Sequence, residues 1–175
     1  AMLRGAEVTL IAGKTECELP NFVNIVKAIS AEDMYNAVKT CAYEQDIIIK
    51  AAAVADYMPK VAAKQKIKKN GGDMSIELER TKDILKSIGE VKRSGQLICG
   101  FSMETENLLE NSRKKLTGKN ADMIVANSIG DKGAGFGTDT NIVTIITKND
   151  EISLGLLSKE SVADEILTRL MDMKK

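Results

Sequence analysis

The stretch that most constrains the fold is residues 47–57, which read IIIKAAAVADY. A β-branched apolar run bounded by polar residues is typical of a strand buried on both faces of a parallel sheet. The alanines that follow leave the backbone open to a flat ligand, and Asp56 lies where the strand should end. In an open α/β sheet, ligands bind at the carboxyl ends of the strands. The alternative is that the small residues only allow a helix to pack closely, and this stretch alone does not decide between the two.

Apolar runs alternate with amphipathic segments along the chain, which favours βαβ units around a mainly parallel sheet. The predicted strands are residues 7–11, 24–28, 47–55, 96–101, 123–126 and 141–147. The predicted helices begin after Ser30, after Thr81, near residue 106 and after Ser158 or Ser161. A chain of 175 residues is long enough for one well-cored domain and too short for two ordinary ones. We therefore expect residues 1–175 to form a single α/β domain with a Rossmann-like three-layer fold.

Residues 57–80 interrupt this alternation. Pro59 ends the extended run, lysines crowd the next segment, and the turn signal NGGD at residues 70–73 separates two extended pieces, 65–69 and 75–79. This pattern predicts a protruding two-stranded flap. Because an isolated hairpin is only marginally stable in water, the flap should lean on another surface, and a second subunit is a reasonable candidate.

Composition excludes several classes of function. The chain contains no histidine, which excludes a Ser-His-Asp triad, a Cys-His pair and a His-ligated zinc site. Its 25 basic and 25 acidic residues balance, and aromatic residues make up only 3%, so we expect neither nucleic acid nor a membrane as a partner. Three cysteines without metal-ligand spacing, and no apolar run long enough to span a bilayer, indicate reduced thiols in a cytoplasmic protein.

Two groups of lysines are candidates for binding anions. In the flap, Lys66 and Lys68 should share one face and Lys69 the other, which indicates either a charged edge that resists aggregation or a clamp for a triphosphate. Lys115 and Lys119 are four residues apart and share a face if their helix continues that far. They indicate either a solvated helix face, which the spacing alone favours, or an anion held between two cations.

The glycine-rich segment 130–140 and Phe101 are further candidates. The segment lacks the Gly-Lys-Ser/Thr ending of a Walker A loop and does not match GxGxxG after a strand, so it predicts only a mobile active-site loop. Phe101 ends a predicted buried strand, where its ring either belongs to the core or lies flat against a base.

Several short motifs, taken in order, are more specific than any one of them. They are AAVADY at residues 52–57, KIKK at 66–69, KDI at 82–84, GFSMET at 100–105, AN at 126–127 and GFGTDTN at 135–141. This order resembles, over essentially the whole chain, the phosphopantothenoylcysteine synthetase family of coenzyme A biosynthesis in its bacterial and archaeal form. Members are often the C-terminal half of a bifunctional protein with a flavin-dependent decarboxylase. The resemblance therefore implies FMN only where such a domain is fused upstream.

The resemblance implies a ligase that joins 4′-phosphopantothenate to L-cysteine with CTP and magnesium. The substrate carboxylate attacks the α-phosphate, which gives an acyl-cytidylate and pyrophosphate, and the cysteine amine then displaces CMP. Such chemistry can run on positioning and charge neutralisation, which agrees with a chain that lacks histidine. The resemblance also implies a homodimer formed through the flap.

The resemblance also implies which residues bind the nucleotide. These are Lys50, Ala51, Ala52, Asp56, Lys66, Lys82, Asp83, Ile84, Leu85, Phe101, Lys115 and Lys119, with Asn127 as a further candidate. Lys50, Ala51 and Ala52 would read the nucleotide through their backbone, and segment 82–85 would contact it at the start of a helix. Lys66 would be the catalytic residue and would hold the triphosphate across the dimer interface. Phe101 would pack on the cytosine, Lys115 and Lys119 would hold phosphates, and no metal ligand is implied.

One departure from the family pattern affects the expected activity. Members begin with a strand and a segment similar to SNxSSGKMG, which binds phosphate and supplies an asparagine to the acyl-cytidylate, and residues 1–175 do not contain it. We therefore expect CTP binding without efficient amide formation, and apolar surface left open beside an absent interior strand. The alternatives are a non-catalytic nucleotide-binding module, an inactive synthetase fragment, a dinucleotide-dependent reductase and a purely structural dimerisation domain. A preference for CTP would favour the synthetase or the binding module, and NADPH binding would favour the reductase.

Overall fold

The computed structural model describes residues 1–63, 65–68, 71–104, 107–128 and 137–174. The strands in these ranges are β1 (Thr9–Ala12), β2 (Asn24–Lys27), β3 (Ile47–Lys50), β4 (Tyr57–Pro59), β5 (Leu78–Arg80), β6 (Leu97–Glu104), β7 (Met123–Ser128), β8 (Thr140–Thr147) and β9 (Glu151–Ser158). The helices are α1 (Ala31–Cys41), α2 (Ile84–Glu90), α3 (Leu108–Gly118) and α4 (Lys159–Met173). Lys69 of the flap and most of the glycine-rich segment, residues 130–136, lie outside the described residues.

Five strands form the central sheet in the order β3-β6-β7-β8-β9. β3, β6 and β7 pair in parallel, and β8 and β9 follow as an antiparallel hairpin, so four of the five strands run in one direction. β1 and β2 form a separate parallel pair. This arrangement confirms the prediction of a mainly parallel sheet in a Rossmann-like α/β fold.

Alternation along the central strands sends side chains into two separate cores. On one face, Ile98 and Ile124 pack with Leu85 of α2 and Leu116 of α3. On the other face, the sheet packs against α4 through Cys99, Met123, Val125, Val162 and Leu170. Each face of the sheet is therefore covered by helices, which gives three layers.

β3 is shorter and more exposed than its sequence predicts. The strand ends at Lys50 rather than near residue 55, and Ile49 is 41% exposed, so the prediction of burial on both faces is wrong. The reason is that, among the described strands, β3 pairs only with β6, while its other edge faces a groove of about 720 Å³. β1, α1 and β3 line this groove together.

The flap is paired at its base. β4 and β5 form a short antiparallel ladder in which Tyr57 lies opposite Arg80. The predicted piece 75–79 overlaps β5 only at Leu78 and Glu79, and the described residues 65–68 of the other piece are not in a strand, because the paired strands lie farther from the turn. Among the described flap residues, the lysine-rich part has no strand partner within the chain.

Helix α2 begins later than its sequence predicts. The cap is Asp83 rather than Thr81, because the Oδ1 atom of Asp83 accepts a hydrogen bond from the backbone N–H of Lys86 at 2.9 Å. The Thr81 hydroxyl instead donates to the carbonyl oxygen of Ala55 at 2.6 Å. The backbone N–H of Thr81 also donates to the carbonyl oxygen of Asp56 at 2.9 Å, so Thr81 ties the segment after β3 to the start of α2.

Helices α1 and α4 begin at predicted capping serines, whereas β9 was not predicted. At α1, Ser30 and Asp33 form a reciprocal capping box. Ser158, not Ser161, caps α4, since its hydroxyl accepts from the N–H of Ser161 at 3.1 Å. β9 alternates exposed and half-buried positions, but Gly155 weakens its strand pattern in the sequence.

Candidate anion-binding site

Lys50, Gly100 and Ser102 lie on the same face of the sheet at the carboxyl ends of β3 and β6. Lys50 is the register partner of Gly100, and the alternation of side chains along β6 returns Ser102 to that face. The face is the one beneath α2 and α3, because Ile48, two residues before Lys50, packs against that core. These residues therefore occupy the sheet edge at which open α/β folds bind ligands.

Lys115 of α3 reaches the same edge. Its Nζ donates to the Oγ of Ser102 at 3.1 Å, and Ser102 is only 1% exposed. A buried hydroxyl that accepts from an ammonium group limits the positions that the lysine can take. The sequence reasoning missed Ser102, although its position two residues after Gly100 on a predicted strand was a signal that could have found it.

Lys119 and Asp83 form an ion pair between the end of α3 and the start of α2. Gly89 permits this approach, because a Cβ atom at Gly89 would overlap the carbonyl oxygen of Lys119. The side-chain amide of Asn120 also donates to the carbonyl oxygen of Gly89 at 2.9 Å. The backbone N–H of Lys119 still bonds to the carbonyl of Lys115 at 3.0 Å, so helical spacing continues to Lys119.

Opposing effects act on the pKa of Asp83. Burial would raise this pKa, but hydrogen bonds from Lys119 and from the backbone of Lys86, together with the charges of Lys119 and Lys50, lower it below its ordinary value. Asp83 is therefore charged near neutral pH, and it offsets part of the positive charge of the lysines.

Lys50 is half-buried at the centre of this group. Burial lowers the pKa of Lys50, the charge of Lys115 lowers it further, and the carboxylates of Asp83 and Asp56 act in the opposite direction. Each of these groups is close enough to Lys50 to influence its charge. We call Lys50, Lys115 and Lys119, together with the Asp83 carboxylate that pairs with Lys119, the cation cluster.

Residues 51–56 continue from the cation cluster without sheet pairing. Ala51, Ala52 and Asp56 are exposed there, beside Lys50. Ile84 and Leu85 are 3% and 5% exposed, so their side chains belong to the core. Only the backbone of these two residues is available for the contact predicted for segment 82–85.

Lys82 is directed away from the cation cluster. Its Nζ lies 2.7 Å from the Oε1 atom of Glu32 on α1 and 4.7 Å from the centre of the Tyr35 ring. The hydrogen bond with Glu32 raises the pKa of Lys82 despite some desolvation.

Lys66 is exposed in the flap, and no hydrogen bond or ion pair joins it to another residue in the part of the chain that the structure describes.

Phe101 and Asn127 lie on the opposite face of the sheet from the cation cluster. Phe101 packs against the core beneath α4, as alternation with Ser102 requires. Asn127 follows Val125 of the same core by two residues, and its Oδ1 atom is buried with no hydrogen-bond partner among the described residues. The structure thus brings Lys50, Asp83, Lys115 and Lys119 together but separates Phe101 and Asn127 from them.

The residues that the structure describes contain neither a candidate metal-ligand cluster nor a candidate membrane-spanning helix. They contain no group of three or more histidine, cysteine or acidic side chains that could hold a metal ion. None of the helices in those ranges is long and apolar enough to cross a membrane.

The fold and the cation cluster define a Rossmann-like α/β domain that carries several lysines at the carboxyl ends of its strands. The chain belongs to the family described as the DNA/pantothenate metabolism flavoprotein C-terminal domain, whose model matches residues 1–173. This match confirms the resemblance that the ordered motifs indicate.

Individual relatives agree with this family. The chain is 44% identical, over 177 residues, to the coenzyme A biosynthesis bifunctional protein CoaBC of Bacillus subtilis (strain 168), with 100% of this chain and 43% of that protein covered. A crystal structure of the C-terminal domain of a CoaBC protein matches with a TM-score of 0.81 and 44% identity, over 98% of this chain and 76% of that one. The DNA/pantothenate metabolism flavoprotein from Streptococcus pneumoniae matches with a TM-score of 0.80 over 98% of this chain and 83% of that one, but at 21% identity it shows the fold alone. The chain thus spans less than half the length of the curated relative.

Proposed function

We propose that this domain binds CTP at the carboxyl ends of β3 and β6, and that the ligase to which it belongs uses CTP to join 4′-phosphopantothenate to L-cysteine. The observation that carries the proposal is the cation cluster, in which Ser102 holds Lys115 and Asp83 holds Lys119. The exposed backbone of Ala51 and Ala52 beside the cluster offers polar groups to a base. The whole-chain match to a coenzyme A biosynthesis protein supports this class of substrate.

The proposed reaction has two steps. A carboxylate oxygen of 4′-phosphopantothenate attacks the α-phosphorus of CTP, and the bond from that phosphorus to pyrophosphate breaks. The amine of cysteine then attacks the acyl carbon, the bond to CMP breaks, and the amine loses its proton. Lys115 and Lys119 stabilise the negative charge that develops on the departing phosphates.

Magnesium enters the proposed reaction with the nucleotide. Mg²⁺ is usually held by substrate phosphates with one or two carboxylates, rather than by a cage of protein ligands. This mode of binding suits the described part of the chain, which lacks a cluster of acidic ligands. The ion would neutralise phosphate charge together with the lysines.

We also propose that the flap forms a homodimer. Its described apolar side chains that are more than half exposed are Tyr57, Val61, Ile67, Met74, Ile76 and Leu78. A patch of this kind commonly marks a protein interface. A second copy would cover the patch, and Lys66 would then reach the triphosphate in the partner's site as the proposed catalytic residue.

Sedimentation velocity tests the dimer. Ile76→Glu should convert a dimer to a monomer, because it places a charge inside the proposed interface. Val91→Glu is the matched control, since Val91 is 70% exposed at the end of α2, outside the flap. A wild-type chain that sediments as a monomer at all concentrations would contradict the interface.

We further propose that this domain is fused to, or associates with, a phosphopantothenoylcysteine decarboxylase. The curated relative is bifunctional, and this chain matches 43% of its length. Any FMN would belong to that second activity, which consumes the product of the ligation proposed for this domain.

Product formation tests the proposed ligation. The chain is mixed with magnesium, CTP, 4′-phosphopantothenate and cysteine, and pyrophosphate and the amide are measured in the same reaction. A chain with full ligase activity would form both in equal amounts, and Lys115→Met should slow pyrophosphate release about a hundredfold, the size typical of losing one transition-state charge contact. Efficient amide formation by residues 1–175 would contradict the expectation that they bind CTP without efficient ligation. Lys114→Met is the control, because Lys114 is exposed and pairs with Glu110 on the outer face of α3. CTP binding without release of pyrophosphate would indicate a non-catalytic binding module instead.

A further inference from the structure

The side chain of Lys50 is placed for a function of its own. Lys50 ends β3 and lies beside Gly100 in the sheet, on the face that also carries Ser102. Gly100 contributes no side chain, and a Cβ atom there would lie 2.6 Å from a methyl group of Leu85. Lys50 is therefore the charged side chain that β3 contributes to this edge, next to the position at which Ser102 holds Lys115.

Lys50 differs from the other lysines near it in its contacts. Lys119 pairs with Asp83, Lys82 pairs with Glu32, and Lys115 bonds to Ser102. No hydrogen bond or ion pair joins the half-buried ammonium group of Lys50 to another residue within the described ranges. Burying a charge without a direct partner is unfavourable, so a bound anion would relieve a cost that the free protein carries.

We propose that the ammonium group of Lys50 binds a phosphate of the nucleotide, as a third cation beside Lys115 and Lys119. This inference rests on the proposed function and adds a side-chain role to a residue expected to act through its backbone. The relevant ligand chemistry is a polyphosphate chain, because three cations converge on one edge while Asp83 compensates only part of their charge.

Proton uptake gives a signature of this contact. The charged groups that act on Lys50 are Asp83 at the start of α2, Asp56 in the segment after β3, and Lys115 on α3. Burial lowers the pKa of Lys50 in the free protein, so part of the population is neutral at alkaline pH. A bound phosphate favours the charged form, so nucleotide binding at alkaline pH should take up more protons in the wild-type protein than in Lys50→Met.

Calorimetry with matched variants tests the inference. Wild-type protein, Lys50→Met, Lys50→Arg and the exposed control Lys39→Met are titrated with magnesium CTP and with cytidine, in two buffers of different ionisation enthalpy at pH 9. Lys50→Met should bind CTP about tenfold more weakly, as for loss of one charge-assisted contact, bind cytidine unchanged and take up fewer protons. Lys50→Arg should retain most of the affinity, and Lys39→Met all of it.

The outcomes separate this inference from the proposed function. Equal CTP affinity and equal proton uptake in wild type and Lys50→Met would overturn the role of Lys50 and leave the CTP site standing. Binding of inorganic tripolyphosphate that depends on Lys50, without binding of CTP, would support the role of Lys50 and contradict the proposed function. Failure of the wild-type protein to bind either compound would overturn both.

Discussion

The carboxylate of Asp83 and the ammonium group of Lys119 join the start of α2 to the end of α3 by an ion pair. The same carboxylate caps α2 by accepting from the backbone N–H of Lys86 at 2.9 Å. One side chain thus fixes the beginning of a helix and the position of a lysine that we assign to phosphate binding. The stability of this region and the geometry of the site are therefore linked.

The charge of Asp83 should contribute stability that depends on pH. Its pKa is lowered in the folded protein, so the contribution is present above the unfolded-state pKa of about 4 and is lost as pH falls through the folded-state pKa. Asp83→Asn keeps a good capping residue but removes the charge, and should cost less than about 1 kcal/mol at pH 7, because the pair is partly exposed. Urea unfolding at pH 7 and at pH 3 measures the difference between the two proteins. If the wild-type protein and Asp83→Asn differ in unfolding free energy by the same amount at pH 7 and at pH 3, the charge of Asp83 does not contribute the predicted stability.

Gly89→Ala should separate α2 from the end of α3. The new Cβ would overlap the carbonyl oxygen of Lys119, which cannot rotate away, so we expect a loss of about 1–3 kcal/mol in the free energy of unfolding. Gly118→Ala is the control, because nothing lies within 4 Å of a Cβ there and alanine is the better helix former. Equal unfolding free energies in urea for the two variants would show that the close approach at Gly89 is not required.

Ser102→Ala should weaken CTP binding severalfold through Lys115. The hydroxyl of Ser102 accepts from Lys115 Nζ at 3.1 Å, and its removal leaves the lysine less restricted. Ser112→Ala is the control, because this serine is also fully buried and its hydroxyl has no partner among the described residues. Calorimetric titration with magnesium CTP measures both variants. A larger loss of affinity in Ser112→Ala than in Ser102→Ala would contradict the positioning role.

Cys99 and Cys17 should differ strongly in their reactivity towards thiol reagents. Burial, with a smaller contribution from the charge of Asp122, raises the pKa of Cys99 to about 12, whereas Cys17 is exposed. Because the thiolate is the reactive form, Cys99 should resist a thiol-specific disulfide reagent at pH 8 until the protein unfolds. Labelling followed by peptide mass spectrometry assigns each site. Labelling of Cys99 in the folded protein as fast as Cys17 would contradict its placement in the core.

The layers of the fold could be predicted because they depend on local periodicity. The apolar run that opens the predicted strand 47–55 and the capping residue Ser30 each locate the start of an element. β9 was missed, since its alternation is interrupted by Gly155 and its partner β8 lies across a turn. The exposure of Ile49 was also missed, because burial depends on which strand lies beside β3 rather than on the sequence of β3.

The candidate site was harder to predict because it depends on contacts between distant residues. The spacing of Lys115 and Lys119 indicated one shared face, but it did not show that Ser102 and Asp83 bind them. Lys82 belonged to the same sequence motif as Asp83, yet its ammonium group pairs with Glu32, 50 residues earlier in the chain. Alternation along β6 could have placed Ser102 and Phe101 on opposite faces, but the sequence analysis did not consider Ser102.

The measurement that tests the account most directly is a calorimetric titration of this chain with CTP, ATP and UTP, each with magnesium. We expect selective binding of CTP that is weakened in Lys115→Met and unchanged in Lys114→Met. Such a result would locate the nucleotide at the carboxyl ends of β3 and β6. Equal binding of all three nucleotides, or CTP binding that is insensitive to Lys115→Met, would contradict the proposed site.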